Sequence, residues 1–206
     1  MIKQDAEQLL LIKKLMTVEP LIKHVSENVP LSNWEADLIR QLFVFTRFQK
    51  NTVLVKENTV TQKLYFLNKG FIRTSCLENG EETTTHIAGN NTFITGFKSF
   101  ATGTVAEETL KCVTDCEVFY ITKTDYDLLY QKSENWRRFC KGVYEKYLII
   151  TQQRTKDILT LSAEKHYLKL VSDQPELIQN LPIQHIASYI GIKPESLSRI
   201  RKKISS

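Results

Sequence analysis

The spacing of apolar side chains changes from helical to strand-like near residue 43 and back to helical near residue 123. Leucines and isoleucines at helical spacing predict helix through the first 42 residues, with breaks at Pro20 and Pro30. Ser32 and Glu35 have the spacing of a capping box at the start of the next helix. Short runs of β-branched and aromatic residues then predict strands, and Asn-Gly at 79–80 predicts a two-residue hairpin. The predicted strands are residues 43–48, 52–55, 64–67, 71–77, 82–87, 109–112 and 117–121. Many short strands with frequent turns indicate an antiparallel sandwich or barrel.

From residue 123 the pattern returns to helix, and its main element is a long helix over residues 133–161. Apolar residues recur along it near the a and d positions of a heptad, with Arg154 as a polar exception. These residues are Cys140, Val143, Tyr147, Ile150, Ile158 and Leu161. The stripe favours a helix that pairs with its copy in a homodimer, and the alternative is packing against the chain's own β region. Shorter helices are predicted over residues 163–171, 183–190 and 194–204.

The composition is that of an ordinary globular protein. The 206 residues are 42% hydrophobic and 25% charged, which disfavours disorder. Four cysteines are too few for a disulfide scaffold, and no signal peptide or membrane-spanning run is apparent. We therefore expect a reduced, cytoplasmic protein that does not enter a membrane.

The net charge of +5 is unevenly distributed. Residues 1–120 carry 13 basic and 14 acidic side chains, whereas residues 121–206 carry 15 basic and 9 acidic ones. A neutral body with a basic end indicates that this end meets a polyanion, although a solvated lysine-rich terminus has the same charge.

The last two predicted helices have the pattern of a helix-turn-helix. Ala187 is small where two helices cross, Gly191 suits a left-handed turn, and Pro194 suits a first helical turn. Ile186, Ile190, Ile192, Leu197 and Ile200 take the inward positions. The second helix then presents Glu195, Ser196, Ser198, Arg199 and Lys202 outward. Arginine and glutamate at such places suit base edges in the major groove of double-stranded DNA, and Lys193, Arg201, Lys202 and Lys203 suit phosphates. The alternative is a plain helical hairpin with a charged face.

The order of helical lead, β region, long helix and helix-turn-helix, with Glu195-x-x-Ser198-Arg199, resembles the Crp/Fnr family of bacterial transcription regulators. Asn91-Thr92-Phe93-Ile94 is similar to the family's Gly-Asp-Phe-Ile run, and Asp115-Cys116-Glu117-Val118 is similar to a second family stretch. The resemblance spans residues 31–204. It implies an α+β fold with an N-terminal antiparallel jelly roll of the cyclic-nucleotide-binding kind, a long central dimerisation helix and a C-terminal all-α helix-turn-helix domain. The corresponding domains are residues 1–132, 133–161 and 162–206. It also implies that Arg199, Ser198 and Glu195 read bases and that a homodimer binds a palindromic operator.

The departures from this family lie in the nucleotide pocket. Cyclic-nucleotide members carry Gly-Glu where this chain has Thr95-Gly96, and Arg-Ser where a gapless continuation places Ala106-Glu107. Without the arginine, and with Glu107 and Glu108 nearby, a cyclic phosphate loses its strongest partner. Thr151 stands where the family's long helix offers a hydroxyl to the base. We therefore expect a degenerate pocket that does not bind cAMP or cGMP in the family's manner.

Other chemistries find little support in the sequence. The first 75 residues contain no cysteine for an Fnr-type iron–sulfur cluster, and Cys112 and Cys116 fit buried structural thiols better. The four histidines are scattered, and His185 is either a phosphate contact or simply exposed.

The chain stops two residues after Ile204, so no C-terminal wing is expected. We thus expect a regulator that is not an enzyme and holds no cofactor, with or without a small-molecule effector. The alternative is a ligand- or partner-sensing module whose helical hairpin binds another protein.

Overall fold

The computed structural model describes residues 18–78 and 80–204. Its first elements are α1 (Glu19–Ser26) and α2 (Asn33–Leu42). The predicted capping box is present at the start of α2, where the Ser32 and Glu35 side chains bond reciprocally to backbone. The helix predicted from Leu9 to Met16 lies outside the described residues.

Eight strands form two four-stranded antiparallel sheets. The first sheet has the order β1 (Val44–Phe48), β8 (Cys116–Thr122), β3 (Lys63–Lys69), β6 (Thr92–Ile94). The second has the order β2 (Val53–Val55), β7 (Thr109–Cys112), β4 (Ile72–Glu78), β5 (Glu81–Ala88). The antiparallel jelly-roll prediction is confirmed, and Glu78 pairs with Glu81 across the predicted two-residue turn. Asn79 itself lies outside the described residues.

Two short elements were absent from the prediction. β6 is three residues long, and α3 (Phe97–Thr102) follows it at once. Neither is long enough to show a period in the sequence.

The sandwich encloses a core of aliphatic side chains, with Leu67, Ile72, Leu110 and Val118 all fully buried. Cys112 and Cys116 lie in this core, as expected for structural thiols. A second, aromatic core lies on the outer side of the first sheet, where α1, α2, α4 (Lys123–Lys132) and the start of the long helix pack. Trp136 is fully buried at its centre.

The long helix α5 covers 27 residues, Glu134–Thr160, with its N-cap at Ser133 and its C-cap at Leu161. Its first turn is held by the buried carboxylate of Glu35, which accepts hydrogen bonds from Ser133 Oγ and Asn135 Nδ2. This carboxylate therefore ties the start of α2 to the start of α5.

Four helices follow: α6 (Ala163–Asp173), α7 (Pro175–Asn180), α8 (Ile183–Tyr189) and α9 (Pro194–Ile204). Their core is continuous with the β-sandwich, because Phe71, Ile87 and Val113 pack into it. α7 was not predicted, since six residues between two turns carry no period of their own.

The stripe predicted for dimerisation is only partly occupied within the chain. Cys140 is buried in the aromatic core, the Tyr147 ring lies against His86 and Phe97, and Arg154 binds carbonyls of β5 and α8. These residues pack against the chain's own β region and C-terminal helices, whereas Ile150 and Ile158 of the same stripe remain exposed, and the seam with a partner stays a prediction. Pattern alone could not decide this, because an apolar stripe fits any apolar surface.

α5 carries a second stripe on a neighbouring face, and its members are exposed. Leu148 is 56% exposed and Leu159 is 78% exposed. Together with the exposed Gln152 and Thr155 they recur at spacings of four, three and four. This is the a/d spacing of a coiled-coil seam, and we call these four residues the outer stripe.

Candidate nucleic-acid interface and effector pocket

The α8–α9 connection is a tight left-handed turn. Gly191 has φ +78°, where a β-carbon would be strained. Its N–H donates to Ser188 O, and the N–H of Ile192 donates to Ala187 O. These two bonds form a Schellman motif that ends α8. The predicted inward residues are in place, with Ala187 and Leu197 fully buried between the helices.

α9 presents one polar side to solvent. Glu195, Ser198 and Arg199 are exposed, Ser196 is partly buried, and Ser198 Oγ donates to Pro194 O within the helix. We call the side formed by Glu195, Ser198 and Arg199 the reading face. Among the described residues, neither Glu195 nor Arg199 is held in an ion pair. Lys193 and Lys202 are exposed beside this face.

Two other basic groups of this region point elsewhere. Lys203 Nζ lies 2.9 Å from a carboxylate oxygen of Glu164 on α6. His185 is half-buried against the sandwich, where burial and then the nearby Arg73 guanidinium lower its pKa. His185 is therefore not simply exposed, and its contact with phosphate stays a prediction.

The residues predicted for the degenerate pocket make contacts within the chain. Thr95 is buried and its hydroxyl donates to Lys63 O. A β-carbon at Gly96 would lie 2.7 Å from Thr61 Oγ1, so the structure leaves no room for a side chain there without a shift. The hydroxyl and the backbone at these two positions are thus already committed to the fold.

The second pair is also occupied by contacts within the chain. Ala106 is buried, and its N–H and C=O bond to Thr59 and Asn58. Glu107 is exposed and pairs with Lys98. Thr151 is exposed on α5, and its hydroxyl donates to Tyr147 O.

Aromatic rings fill the space between α3 and α5. The centroids of Phe97 and Tyr147 are 4.6 Å apart, and His86 lies 5.3 Å from Tyr147. Burial, and secondarily the charge of Arg154, lowers the pKa of His86 to about 4, so its ring is neutral near pH 7. Burial and the nearby Glu108 carboxylate raise the pKa of Tyr147. These rings thus have both the Glu108 carboxylate and the Arg154 guanidinium near them.

An open cleft of about 480 Å³ lies on another side of these rings. Its walls come from β5, from α5 and from the α6–α7 turn, and they include His86, Tyr147, Leu177 and Tyr189. The cleft thus touches both the sandwich and the C-terminal helices. No pattern in the sequence pointed to it, because its walls come from segments far apart in the chain.

Comparison with known proteins agrees with this architecture. Residues 45–133 match the family model of the cyclic nucleotide-binding domain. The match covers the β-sandwich and the start of the helical region. No curated protein sequence matches the chain. The matched family is a binding domain, in agreement with the prediction that the chain is not an enzyme.

Solved structures extend the likeness beyond this cyclic nucleotide-binding domain. The c-di-GMP responsive global regulator CLP of Xanthomonas campestris is 19% identical with a TM-score of 0.67, over 84% of this chain and 92% of that one. A Eubacterium rectale protein assigned to the Crp/Fnr family of transcriptional regulators is 16% identical with a TM-score of 0.67, over 85% and 84%. The catabolite activator protein of Thermus thermophilus is 17% identical with a TM-score of 0.53, over 88% and 86%. The resemblance to Crp/Fnr regulators is confirmed at the level of the fold.

Within the part of the chain that the structure describes, no helix is long and apolar enough to cross a membrane.

Proposed function

We propose that this protein is a sequence-specific DNA-binding transcription regulator of the Crp/Fnr type. The observation that carries the proposal is the α8–α9 unit, in which a Schellman turn and a buried Leu197 hold the reading face toward solvent. An arginine and a glutamate near the start of such a helix match guanine and cytosine edges in a major groove. The exposed Lys193 and Lys202 flank this face and suit backbone phosphates.

The active form in this proposal is a homodimer that pairs through the outer stripe of α5. Leu148 and Leu159 are large apolar side chains left in water on the protomer, and their spacing is that of a coiled-coil seam. A two-fold axis along α5 would present two reading faces to one palindromic operator, with half-sites about one helical turn, or 34 Å, apart.

The proposed regulator does not respond to cAMP or cGMP in the family's manner. Thr95 and Gly96 offer no carboxylate for a ribose hydroxyl, and Phe97 packs on Tyr147 where α3 faces α5. In isothermal titration calorimetry, we expect no heat of binding for either nucleotide at micromolar concentration. Micromolar affinity for either one would overturn this part of the proposal.

A salt titration separates a DNA-binding protein from a protein-binding hairpin. We expect the affinity for random duplex DNA to fall steeply with salt, with a log–log slope set by the number of phosphates contacted. The double variant Lys193→Ala, Lys202→Ala should flatten that slope, whereas Lys98→Ala, on α3, should leave it unchanged. A wild type without measurable affinity for DNA at low salt would contradict the proposal.

A further inference from the structure

Strand β5 is an edge strand, yet its outward backbone at Thr84 is completely covered. The Thr84 N–H donates to Ser188 Oγ of α8 at 2.8 Å. The Thr84 carbonyl accepts from Arg154 Nη2 of α5 at 3.1 Å, and the Thr84 hydroxyl accepts from Arg73 Nε at 2.8 Å. Thr84 has no exposed surface. We call this set of contacts the Thr84 node; it joins the sandwich, the long helix and the first helix of the helix-turn-helix.

Arg154 is the residue that reaches all three elements. The same Nη2 that binds Thr84 O also donates to Tyr189 O at 2.9 Å, at the last residue of α8. Its guanidinium lies 4.6 Å from the centre of the Tyr189 ring, close enough for a cation–π contact. Charge-assisted bonds to buried carbonyls are among the stronger hydrogen bonds in proteins. Removing the guanidinium would leave two carbonyls of different elements without this donor.

The covered edge does not mask the DNA-facing side. α8 docks on β5 directly through Ser188 and, by way of Arg154, through Tyr189, whereas the reading face of α9 stays exposed in the same structure. Docking therefore fixes the direction of the reading face without closing it.

We propose that Arg154 is a positioning residue that holds the helix-turn-helix against β5 and thereby sets the direction of the reading face. This inference rests on the proposed function, because direction matters only if two reading faces must fit two half-sites. A fixed direction restricts the half-site spacing that one dimer accepts, since contacts at both half-sites need both helices in register with the groove. Without Arg154, α8 and α9 take up a range of directions. This lowers the affinity for the operator and weakens the preference for one half-site spacing.

The amide of Thr84 reports directly on the docking. We expect its hydrogen exchange, measured by NMR on the full chain, to accelerate by about tenfold or more in Arg154→Met, while Ile72 in the interior strand β4 keeps its rate. Methionine keeps an unbranched stem against Tyr189 but has no donor. Ser188→Ala should accelerate the Thr84 amide as well, and Arg154→Lys, which retains one cationic donor, should fall between Arg154→Met and wild type. Arg138→Met on the exposed side of α5 should change neither rate.

The proposal fails if Thr84 keeps its rate in Arg154→Met, or if Thr84 and Ile72 accelerate by the same factor, which would indicate general destabilisation. The second readout is the ratio of affinities for an operator and for the same operator with one base pair inserted at its centre. We expect this ratio to fall toward one in Arg154→Met and to stay at the wild-type value in Arg138→Met. An unchanged ratio in Arg154→Met would remove its role in positioning. If the wild type binds no DNA at all, the proposed function fails and the positioning role with it, whereas the exchange rates still decide whether Arg154 holds the docking.

Discussion

At the scale of single residues, function and stability rest on different kinds of position. The reading face consists of side chains that the fold leaves exposed, such as Arg199. Glu35, in contrast, is 3% exposed and has four hydrogen-bond donors around it. Replacing the first kind should change binding and leave the fold intact, whereas replacing the second should do the reverse.

Arg199→Ala should cost about 1–3 kcal/mol of binding free energy at one base pair of each half-site and relax the preference there. Lys202→Ala should instead weaken binding to all sequences alike, because a phosphate contact carries no base information. Competition binding on single-base operator variants distinguishes the two effects. Equal losses on operator and random DNA for Arg199→Ala would remove Arg199 from base reading.

Glu35 makes stability depend on pH in the acid range. Burial raises its pKa, but hydrogen bonds from Ser133, Ser32 and Asn135 outweigh burial and hold the pKa at about 2, below the usual 4.5. Because the unfolded chain binds the proton more readily, this stabilisation is complete above about pH 4.5 and disappears as the pH falls toward 2.

Glu35→Gln should therefore destabilise the protein by on the order of 2–3 kcal/mol near pH 7 and by roughly half as much near pH 3. Urea unfolding at the two pH values measures both differences. Glu107→Gln, which changes an exposed carboxylate, serves as the matched control and should shift neither midpoint by more than about 0.5 kcal/mol. If Glu35→Gln lowers the free energy of unfolding by the same amount at both pH values, the charge of Glu35 is not what stabilises the fold.

At the scale of elements, the same residue type has opposite effects in different backbone conformations. Gly142 lies inside α5, and Gly191 ends α8 with φ +78°. A β-carbon at either position meets no atom within 4 Å, so sterics with neighbours do not decide the outcome. The backbone conformation at each position therefore decides whether alanine stabilises or destabilises the protein.

Gly142→Ala should stabilise the protein by about 0.5–1 kcal/mol, because alanine favours helix and restricts the unfolded chain. Gly191→Ala should destabilise it by about 1–2 kcal/mol, because an L-residue resists the left-handed region. Thermal unfolding followed by circular dichroism measures both. Two shifts of the same sign would contradict the account of this turn.

The elements that could be predicted from the sequence are those with a clear period or a specific turn. The strands, the Ser32–Glu35 capping box and the Ala187–Gly191–Pro194 turn all carry such local signals. β6, α3 and α7 carry none, because three to six residues are too few to show a repeated pattern without a turn signal beside them. The partner of the Tyr147 stripe and the contacts of Thr84 depend on tertiary packing, which local pattern does not encode.

At the scale of the whole molecule, the described contacts divide α5 into an inner and an outer side. The inner side serves the chain itself through Cys140, Tyr147 and Arg154. The outer stripe is left for a second copy in the proposed dimer. In that proposed dimer, self-association would depend on different residues from those that hold the protomer together.

The double variant Leu148→Lys, Leu159→Lys should shift the dimer to monomer, because four lysines would face one another across the two-fold seam. Leu168→Lys, which changes an exposed leucine on α6, should leave the assembly unchanged. Sedimentation velocity distinguishes these outcomes, and circular dichroism checks that each variant is folded. A double variant that remains dimeric would place the dimer interface elsewhere.

Selection of bound fragments from a random duplex library tests the central claim most directly. We predict that the wild type enriches an inverted repeat whose half-site centres lie about 34 Å apart, and that Arg199→Ala enriches a repeat with one position relaxed in each half. A library that stays random after selection with the folded wild type, or a motif identical for wild type and Arg199→Ala, would contradict the account.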